Sequence, residues 1–212
     1  MSTLLKIDVS TRGNLSISRR LSSLFLDQWK EAHAGCHVIE RDIDTTDLPF
    51  LEFAWITANL TRPSARTEQQ KALLVPSDEL IAELQKADEY VIATPMYNFG
   101  IPAKLKAYVD HIVRTGLTFT MNADGSYTGL LSGKKATVII ASAGEYGPEA
   151  PAQGLDTLKP YLLEILGFIG VTDVTFIQSG STWKVDGGSE RAEEHIAPLI
   201  AKVKQAAGAQ AA

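Results

Sequence analysis

Residues 90–106 read YVIATPMYNFGIPAKLK, which joins a strand-like run to a helix-like run through a distinctive loop. The segment opens with a short apolar run typical of a buried strand, and from Leu105 onward apolar residues recur at helical spacing. The loop between these elements has two prolines that stiffen it and a glycine that allows the backbone to approach a ligand closely. Two aromatic rings flank the amide of Asn98. This composition suits a flat ligand with a polar edge.

Length and composition indicate one globular domain over residues 1–212, with a tail at 208–212 that we expect to fray. Hydrophobic residues make up 45% of the chain and charged residues 21%, which argues against intrinsic disorder. The net charge of -5 argues against a nucleic acid or an anionic membrane surface as partner, because both require a basic patch.

The sequence also favours a cytoplasmic location. Its start lacks the basic and apolar regions of an export signal. The most apolar segment, Leu162–Val171, is far shorter than the roughly 20 residues needed to span a bilayer. Cys36 is the only cysteine, so no internal disulfide can form, as is usual in the cytosol.

Strand patterns alternate with helical patterns along the chain. The predicted strands are Leu4–Val9, Cys36–Asp42, Tyr90–Ala93, Lys135–Ala141 and Val174–Ile177. This alternation predicts an α/β fold with helices on both faces of a parallel sheet. We expect a flavodoxin-like three-layer sandwich whose five-stranded parallel sheet has the order 2-1-3-4-5. In such sheets the ligand lies at the carboxyl ends of the strands, beside the switch point.

Several features between the strands give further expectations. Ser16 is the predicted N-cap of the first helix. A helix beginning at Thr67 should be interrupted by Pro76 and resume with Ser77 as its cap. Residues 47–66 are expected to form a long irregular passage of the kind that is often functional.

The second half of the chain gives three more expectations. Gly116–Gly133 contains the turn signal of a hairpin. Leu155–Ile169 is apolar almost all round, which indicates burial on more than one side and a subunit interface, and Pro160 should kink it unless the helix begins there. Ser189–Ala207 is predicted as one final amphipathic helix.

Three loops should meet at the ligand end of the sheet: Ser10–Ser18, Pro95–Pro102 and Ser142–Gly147. The first combines serine hydroxyls with the N-terminus of a helix, which together favour an anion such as phosphate. The alternative is that these serines are only caps and turn residues. Arg12, Arg19 and Arg20 could add to the local field, although a solvated position is the simpler expectation for each.

Other catalytic and metal-binding motifs are not present in the sequence. It contains no G-x-G-x-x-G, Walker A or G-x-S-x-G pattern. His33, Cys36 and His37 resemble metal ligands in composition, but they straddle a helix end and a strand start without a fourth ligand. We therefore expect neither a metal site nor a protein nucleophile.

The chain resembles the FMN-dependent NADH azoreductases, members of the flavodoxin-like NAD(P)H:quinone oxidoreductases. The resemblance covers nearly the whole length. Its motifs are Ser16-Ile17-Ser18, Pro95-Met96-Tyr97-Asn98-Phe99, Ile101-Pro102-Ala103-Lys104-Leu105-Lys106, Ser142-Ala143-Gly144 and Leu166-Gly167-Phe168-Ile169-Gly170-Val171. The Met-Tyr-Asn-Phe motif is the specific one.

The resemblance implies an FMN site built from the three loops. The FMN phosphate would lie on Ser10, Ser16, Ile17 and Ser18. The isoalloxazine ring would lie against Pro95, Met96, Tyr97, Asn98, Phe99 and Gly100, with Ser142, Ala143 and Gly144 along its pyrimidine side. Glu145 departs from the family pattern, and we expect it to point away, because a carboxylate there would oppose an anionic reduced flavin.

The implied reaction is ping-pong hydride transfer from NADH, or NADPH, to FMN N5 and then to a quinone or an azo compound. Members of this family are homodimers with sites at the interface, and aromatic residues would sandwich the substrate. Trp55, Phe119 and Phe168 are the candidates, with core packing as the alternative for each. Two further hypotheses are a flavodoxin-type electron-transfer protein, which the long passages at 47–66 and 116–133 disfavour, and a flavin-free binding module.

Overall fold

The computed structural model describes residues 2–147, 149–188 and 190–208. Its strands are β1 (Thr3–Asp8), β2 (His37–Asp42), β3 (Glu89–Pro95), β4 (Phe119–Met121), β5 (Tyr127–Gly129), β6 (Lys135–Ala141) and β7 (Asp173–Ser179). The five longer strands form one parallel sheet in the order β2-β1-β3-β6-β7, and β4 and β5 form a separate antiparallel hairpin. Numbered without the hairpin, this is the predicted order 2-1-3-4-5.

The helices are α1 (Ile17–Ala32), α2 (Phe53–Leu60), α3 (Glu68–Lys86), α4 (Ala103–Ile112), α5 (Leu158–Phe168), α6 (Trp183–Asp186), α7 (Ala192–Ile196) and α8 (Ile200–Ala206). Ser16 caps α1 as predicted, since its Oγ accepts a hydrogen bond from the Arg19 amide. Thr67 and Gln70 form a capping box at the start of α3. In the part of the chain described, no helix has the length and apolar character needed to cross a membrane.

Helices cover both faces of the sheet. Successive side chains of each strand point to opposite faces, so alternate residues enter two different cores. Leu4 packs with apolar side chains of α1 and α8, whereas Leu5 and Ile7 pack with those of α3, α4 and α5. All six residues of β1 are buried, as expected for a central strand covered on both faces. Burial of each large aliphatic side chain contributes about 1.5–3 kcal/mol, so these two cores fix the sheet and the position of its carboxyl end.

Two expectations before β3 are wrong. The passage 47–66 is not wholly irregular, because it contains α2. Pro76 does not interrupt α3, which runs through it from Glu68 to Lys86. Ser77 is therefore not a cap, and its buried Oγ donates to the His111 carbonyl oxygen at 2.5 Å. Contacts with the neighbouring helix hold α3 together where a proline alone would favour a break.

The C-terminal third also differs from its prediction. The helix expected over 189–207 is divided into α7, a 3-10 turn at Ala197–Leu199 and α8, with Pro198 in the turn. α5 begins only at Leu158, so Pro160 falls in its first turn, where a missing N–H removes no helical hydrogen bond. Ser189 and residues 209–212 of the predicted tail lie outside the described residues.

Candidate functional site

The carboxyl end of the sheet contains a cavity of about 200 Å³. Its lining residues are Ser10, Arg12, Ser16, Ile17, Pro95, Met96, Tyr97, Ala141, Ala143, Thr182 and Asp186. They come from the loop after β1, the loop after β3, the loop after β6 and the segment after β7. The structure thus brings the three predicted loops together and adds a fourth segment.

The first side of the cavity is lined by Ser10 and Ser16, which form a cluster of buried serines with Ser18 at the N-terminus of α1. Ser10, Ser16 and Ser18 are 1%, 3% and 0% exposed, so they are not ordinary surface turn residues. The Ser16 and Ser18 hydroxyl oxygens lie 3.1 Å apart. The first amides of α1 have no intrahelical acceptor, and the helix dipole adds a partial positive charge. This arrangement is suited to binding an anion.

Arg19 anchors the loop after β1 through hydrogen bonds. The expectation that the Arg19 side chain is solvated is wrong, because that side chain is only 16% exposed. Its Nε donates to the Ser10 carbonyl oxygen at 2.8 Å, and its two Nη atoms donate to Asp42 at 2.6 and 2.9 Å. The hydrogen bond to Asp42 raises the pKa of Arg19 and holds the pKa of Asp42 below its usual value. The guanidinium therefore ties the loop after β1 to the end of β2.

The second side is a tight turn in the loop after β3. Tyr97 and Gly100 exchange backbone hydrogen bonds of 3.1 and 3.0 Å around Asn98 and Phe99, whose φ angles are 48° and 69°. Asparagine tolerates this left-handed conformation, but for Phe99 it costs about 1–2 kcal/mol. The amide and hydroxyl of Thr157 both donate to the Phe99 carbonyl oxygen and hold the turn. Strained backbone of this kind is concentrated at functional sites.

The third side is the loop after β6. The Ser142 hydroxyl donates to the Gly144 carbonyl oxygen at 2.9 Å, which closes a small turn. The Tyr146 ring lies over Gly144, where a Cβ would be 2.8 Å from the tyrosine hydroxyl. Tyr146 also packs edge-on against Phe99, with ring centroids 6.2 Å apart. A side chain at position 144 would require the Tyr146 ring to shift, so glycine permits the aromatic contact that joins the loops after β3 and β6.

Glu145 in the same loop turns away from the cavity. Its carboxylate lies against the backbone of Gly180, in the segment that follows β7. It lines a different hollow that also includes Lys202 and Gln178. The negative charge of Glu145 is thus directed toward β7 and α8.

The structure separates the three predicted substrate-lining aromatics. Phe119 and Phe168 lie together, with ring centroids 4.6 Å apart, and Tyr127 of β5 completes the cluster at 5.9 and 5.4 Å. Trp55, in α2, is only 6% exposed, and its ring packs against the side chains of His111 and Arg114. Its indole therefore offers almost no surface to a ligand.

Sequence reasoning missed the fourth segment at the cavity and the ion pair that Arg12 makes with it. Thr182 and Asp186 line the cavity from the segment after β7, and Arg12 faces them from the loop after β1. The Nη1 and Nη2 atoms of Arg12 donate to the two carboxylate oxygens of Asp186 at 3.0 and 2.7 Å, and this bond raises the pKa of Arg12. Sheet topology alone could have indicated this segment. The carboxyl ends of all strands in a parallel sheet lie at one edge, so the loop after the fifth strand is expected beside the other three loops.

Comparison with known proteins identifies relatives of this chain over nearly its whole length. A family described by its flavodoxin-like fold matches residues 2–206. FMN-dependent NADH:quinone oxidoreductase 2 of Jannaschia sp. is 45% identical over 98% of this chain and 100% of its own length. FMN-dependent NADH:quinone oxidoreductase 8 of Burkholderia lata is 42% identical over 98% and 97% of the two chains.

The chain belongs to the flavodoxin-like family of FMN-dependent NADH:quinone oxidoreductases and azoreductases. The crystal structure of an azoreductase from Bacillus anthracis strain Sterne shares its fold with a TM-score of 0.86 and 27% identity, covering 98% of this chain and 99% of the other. The family resemblance and the flavodoxin-like α/β fold expected from the sequence are thereby confirmed.

The residues at the cavity fit the FMN of this oxidoreductase family. Buried serine hydroxyls, the free amides of α1 and the Arg12 guanidinium form a donor set suited to a phosphate. The Tyr97–Gly100 turn and the Ser142–Gly144 turn supply stiff backbone edges for a flat heteroaromatic ring. Among the residues described, no cluster of three or more His, Cys, Asp or Glu side chains could hold a metal ion.

Proposed function

We propose that this chain is an FMN-dependent NADH:quinone oxidoreductase that also reduces aromatic azo compounds. The observation that carries the proposal is that the serine cluster at the start of α1 and the strained Tyr97–Gly100 turn border one cavity. Relatives named FMN-dependent NADH:quinone oxidoreductase, 42–45% identical over nearly the whole chain, support it.

Bound FMN would supply the redox chemistry, accepting a hydride from NADH and passing it to the acceptor. In the overall reaction NADH, a proton and a quinone give NAD⁺ and a hydroquinone, so two electrons leave the nicotinamide and two reach the quinone. The residues of the chain would bind the cofactor and orient it. Ser10, Ser16 and Ser18 would hold the phosphate, and residues 95–100 and 142–144 would fix the orientation of the ring toward the substrate.

The acceptor would stack on the flavin against aromatic side chains. Phe119 and Phe168 are proposed for this slot, and their contact with Tyr127 adds a third ring that is 57% exposed. Trp55 could serve only if α2 moved, because its ring is buried. A slot walled by aromatic rings accepts planar quinones and azo compounds alike.

Assembly as a homodimer and a cytoplasmic location complete the proposal. Large apolar side chains remain exposed near α2, where Phe50, Phe53 and Leu60 are 73%, 85% and 78% exposed. Exposed apolar groups of this size mark association surfaces. Light scattering should give twice the mass of one chain, and Phe53→Asp should shift the equilibrium toward one chain. The single cysteine supports a reducing compartment.

Steady-state kinetics with purified, FMN-loaded protein test the function. NADH and NADPH are each varied against a quinone and against an azo dye. Double-reciprocal plots at several acceptor concentrations should be parallel, because the donor leaves before the acceptor binds. Intersecting lines would exclude this order. Absence of NADH oxidation with added quinone would favour the flavodoxin-type electron-transfer alternative.

A matched pair of variants tests the serine cluster. Ser16→Ala should weaken FMN binding about tenfold or more, because it removes a hydroxyl donor at the phosphate and frays the start of α1. Ser126→Ala, in the exposed hairpin turn, is the control and should bind FMN like the unmodified protein. Equal affinities for both variants would contradict the proposed phosphate position.

A further inference from the structure

An ion pair stands at the cavity beside the serine cluster. Arg12, in the loop after β1, uses both Nη atoms to hold the carboxylate of Asp186 in α6. Both residues line the cavity, and their side chains are 43% and 42% exposed. The two elements it joins are 174 positions apart in the sequence, so the fold alone brings this pair to the site.

Arg12 is the basic side chain that lies at the cavity. Among the described residues that line the cavity, it is the one Lys or Arg side chain. Arg19 is already committed to Asp42 and to the Ser10 carbonyl oxygen. Arg20 is committed to Glu193 and to the Asn14 carbonyl oxygen, and neither Arg19 nor Arg20 lines the cavity.

A phosphate group would compete well for this guanidinium. At pH 7 a phosphate monoester carries about 1.5–2 negative charges, against one on Asp186, and its oxygens match the planar fork of arginine. An exposed ion pair is held only weakly, so Arg12 can leave Asp186 at little cost. The freed carboxylate of Asp186 would then lie near the phosphate, which is also negatively charged.

We propose that Arg12 makes the site select a phosphorylated flavin over an unphosphorylated one, and that Asp186 competes with the phosphate for Arg12. This inference rests on the proposed function and deepens it. Arg12 acts as a specificity determinant at the phosphate. Asp186 lowers the affinity for FMN, so that binding exchanges one ion pair for another.

Fluorescence titrations of flavin-free protein test the inference without measuring activity. FMN and riboflavin are each titrated into the unmodified protein, Arg12→Ala and Asp186→Asn. Arg12→Ala should weaken FMN binding about tenfold, equivalent to about 1.4 kcal/mol. Asp186→Asn should tighten it about threefold. Riboflavin affinity should change less than twofold in either variant, because riboflavin has no phosphate.

Arg20→Ala and Glu193→Gln are matched controls, since they change the same charges in an ion pair near the start of α1 that does not line the cavity. They should alter the affinity for both flavins less than twofold. Equal losses of FMN and riboflavin binding in Arg12→Ala, or weaker FMN binding in Asp186→Asn, would overturn the inference while the proposed function stands. Failure of the unmodified protein to bind FMN would overturn both.

Discussion

Replacing Phe99 by glycine should leave the protein more stable than replacing it by alanine, which reverses the usual order. Phe99 has a φ angle of 69°, in the left-handed region. Both substitutions remove the same ring, which is 44% exposed and packs edge-on against Tyr146. The loss of that contact therefore cancels when the two variants are compared with each other.

Two opposing effects decide which variant is more stable. Alanine in the left-handed region costs about 1–2 kcal/mol, whereas glycine adopts it without strain. Glycine also makes the unfolded chain more flexible, which destabilises the folded protein by about 0.4–1 kcal/mol relative to alanine. The backbone strain outweighs the chain flexibility, so Phe99→Gly should be about 0.5–1 kcal/mol more stable than Phe99→Ala.

Urea unfolding of the flavin-free protein measures the difference. The control is Ala82, an exposed residue in the interior of α3, where Ala82→Gly should cost about 0.5–1 kcal/mol. If Phe99→Ala is as stable as Phe99→Gly or more so, the turn at 97–100 is not strained as described. Backbone geometry would then no longer favour a ligand at that turn.

Three further outcomes follow from the packing and charge of the structure. Asp78→Ala should lower the free energy of unfolding by about 3 kcal/mol, because it leaves the guanidinium of Arg114, whose side chain is 1% exposed, without its carboxylate partner. Asp110→Ala should cost less than about 1 kcal/mol, because the Lys106 side chain that it leaves is 50% exposed. Similar values for the two variants in urea unfolding would contradict this reasoning. The lowered pKa of Asp42 stabilises the fold above its unfolded value of about 3.9, and this stabilisation is lost as the pH falls through the folded pKa. Asp42→Asn should therefore flatten the dependence of stability on pH below about 4, and an unchanged acid profile would refute the assignment. Gly129→Ala would press a Cβ into the backbone that follows α5 and should cost about 3 kcal/mol, whereas Gly154→Ala, with nothing within 4 Å, should leave the melting temperature nearly unchanged.

The sheet could be predicted because its signals are local. Buried parallel strands appear as continuous apolar runs, and β6 has the bounds 135–141 that the sequence indicated. α3 could not be predicted as continuous. Its passage through Pro76 depends on contacts with residues more than 30 positions away, such as the bond from Ser77 to His111. α2 was missed because it is eight residues long and lies in a proline-containing passage without clear periodicity.

The candidate site was predictable to the extent that sheet topology determines it. Three loops follow strands whose order was predicted, and the cavity contains residues from each. The predicted strand order places β1 beside β2, but no local pattern shows that the side chain of Arg19 in α1 reaches Asp42 at the end of β2. Asp186 lies in a four-residue helix that is too short for helical periodicity to reveal.

Anaerobic mixing of the FMN-loaded protein with NADH, without any acceptor, tests the proposed ping-pong reaction most directly. NADH alone should bleach the flavin absorbance at a rate at least equal to steady-state turnover. Subsequent addition of a quinone should restore the absorbance with one equivalent of hydroquinone per flavin. Flavin that stays oxidised until NADH and quinone are present together would contradict hydride transfer in two separate steps.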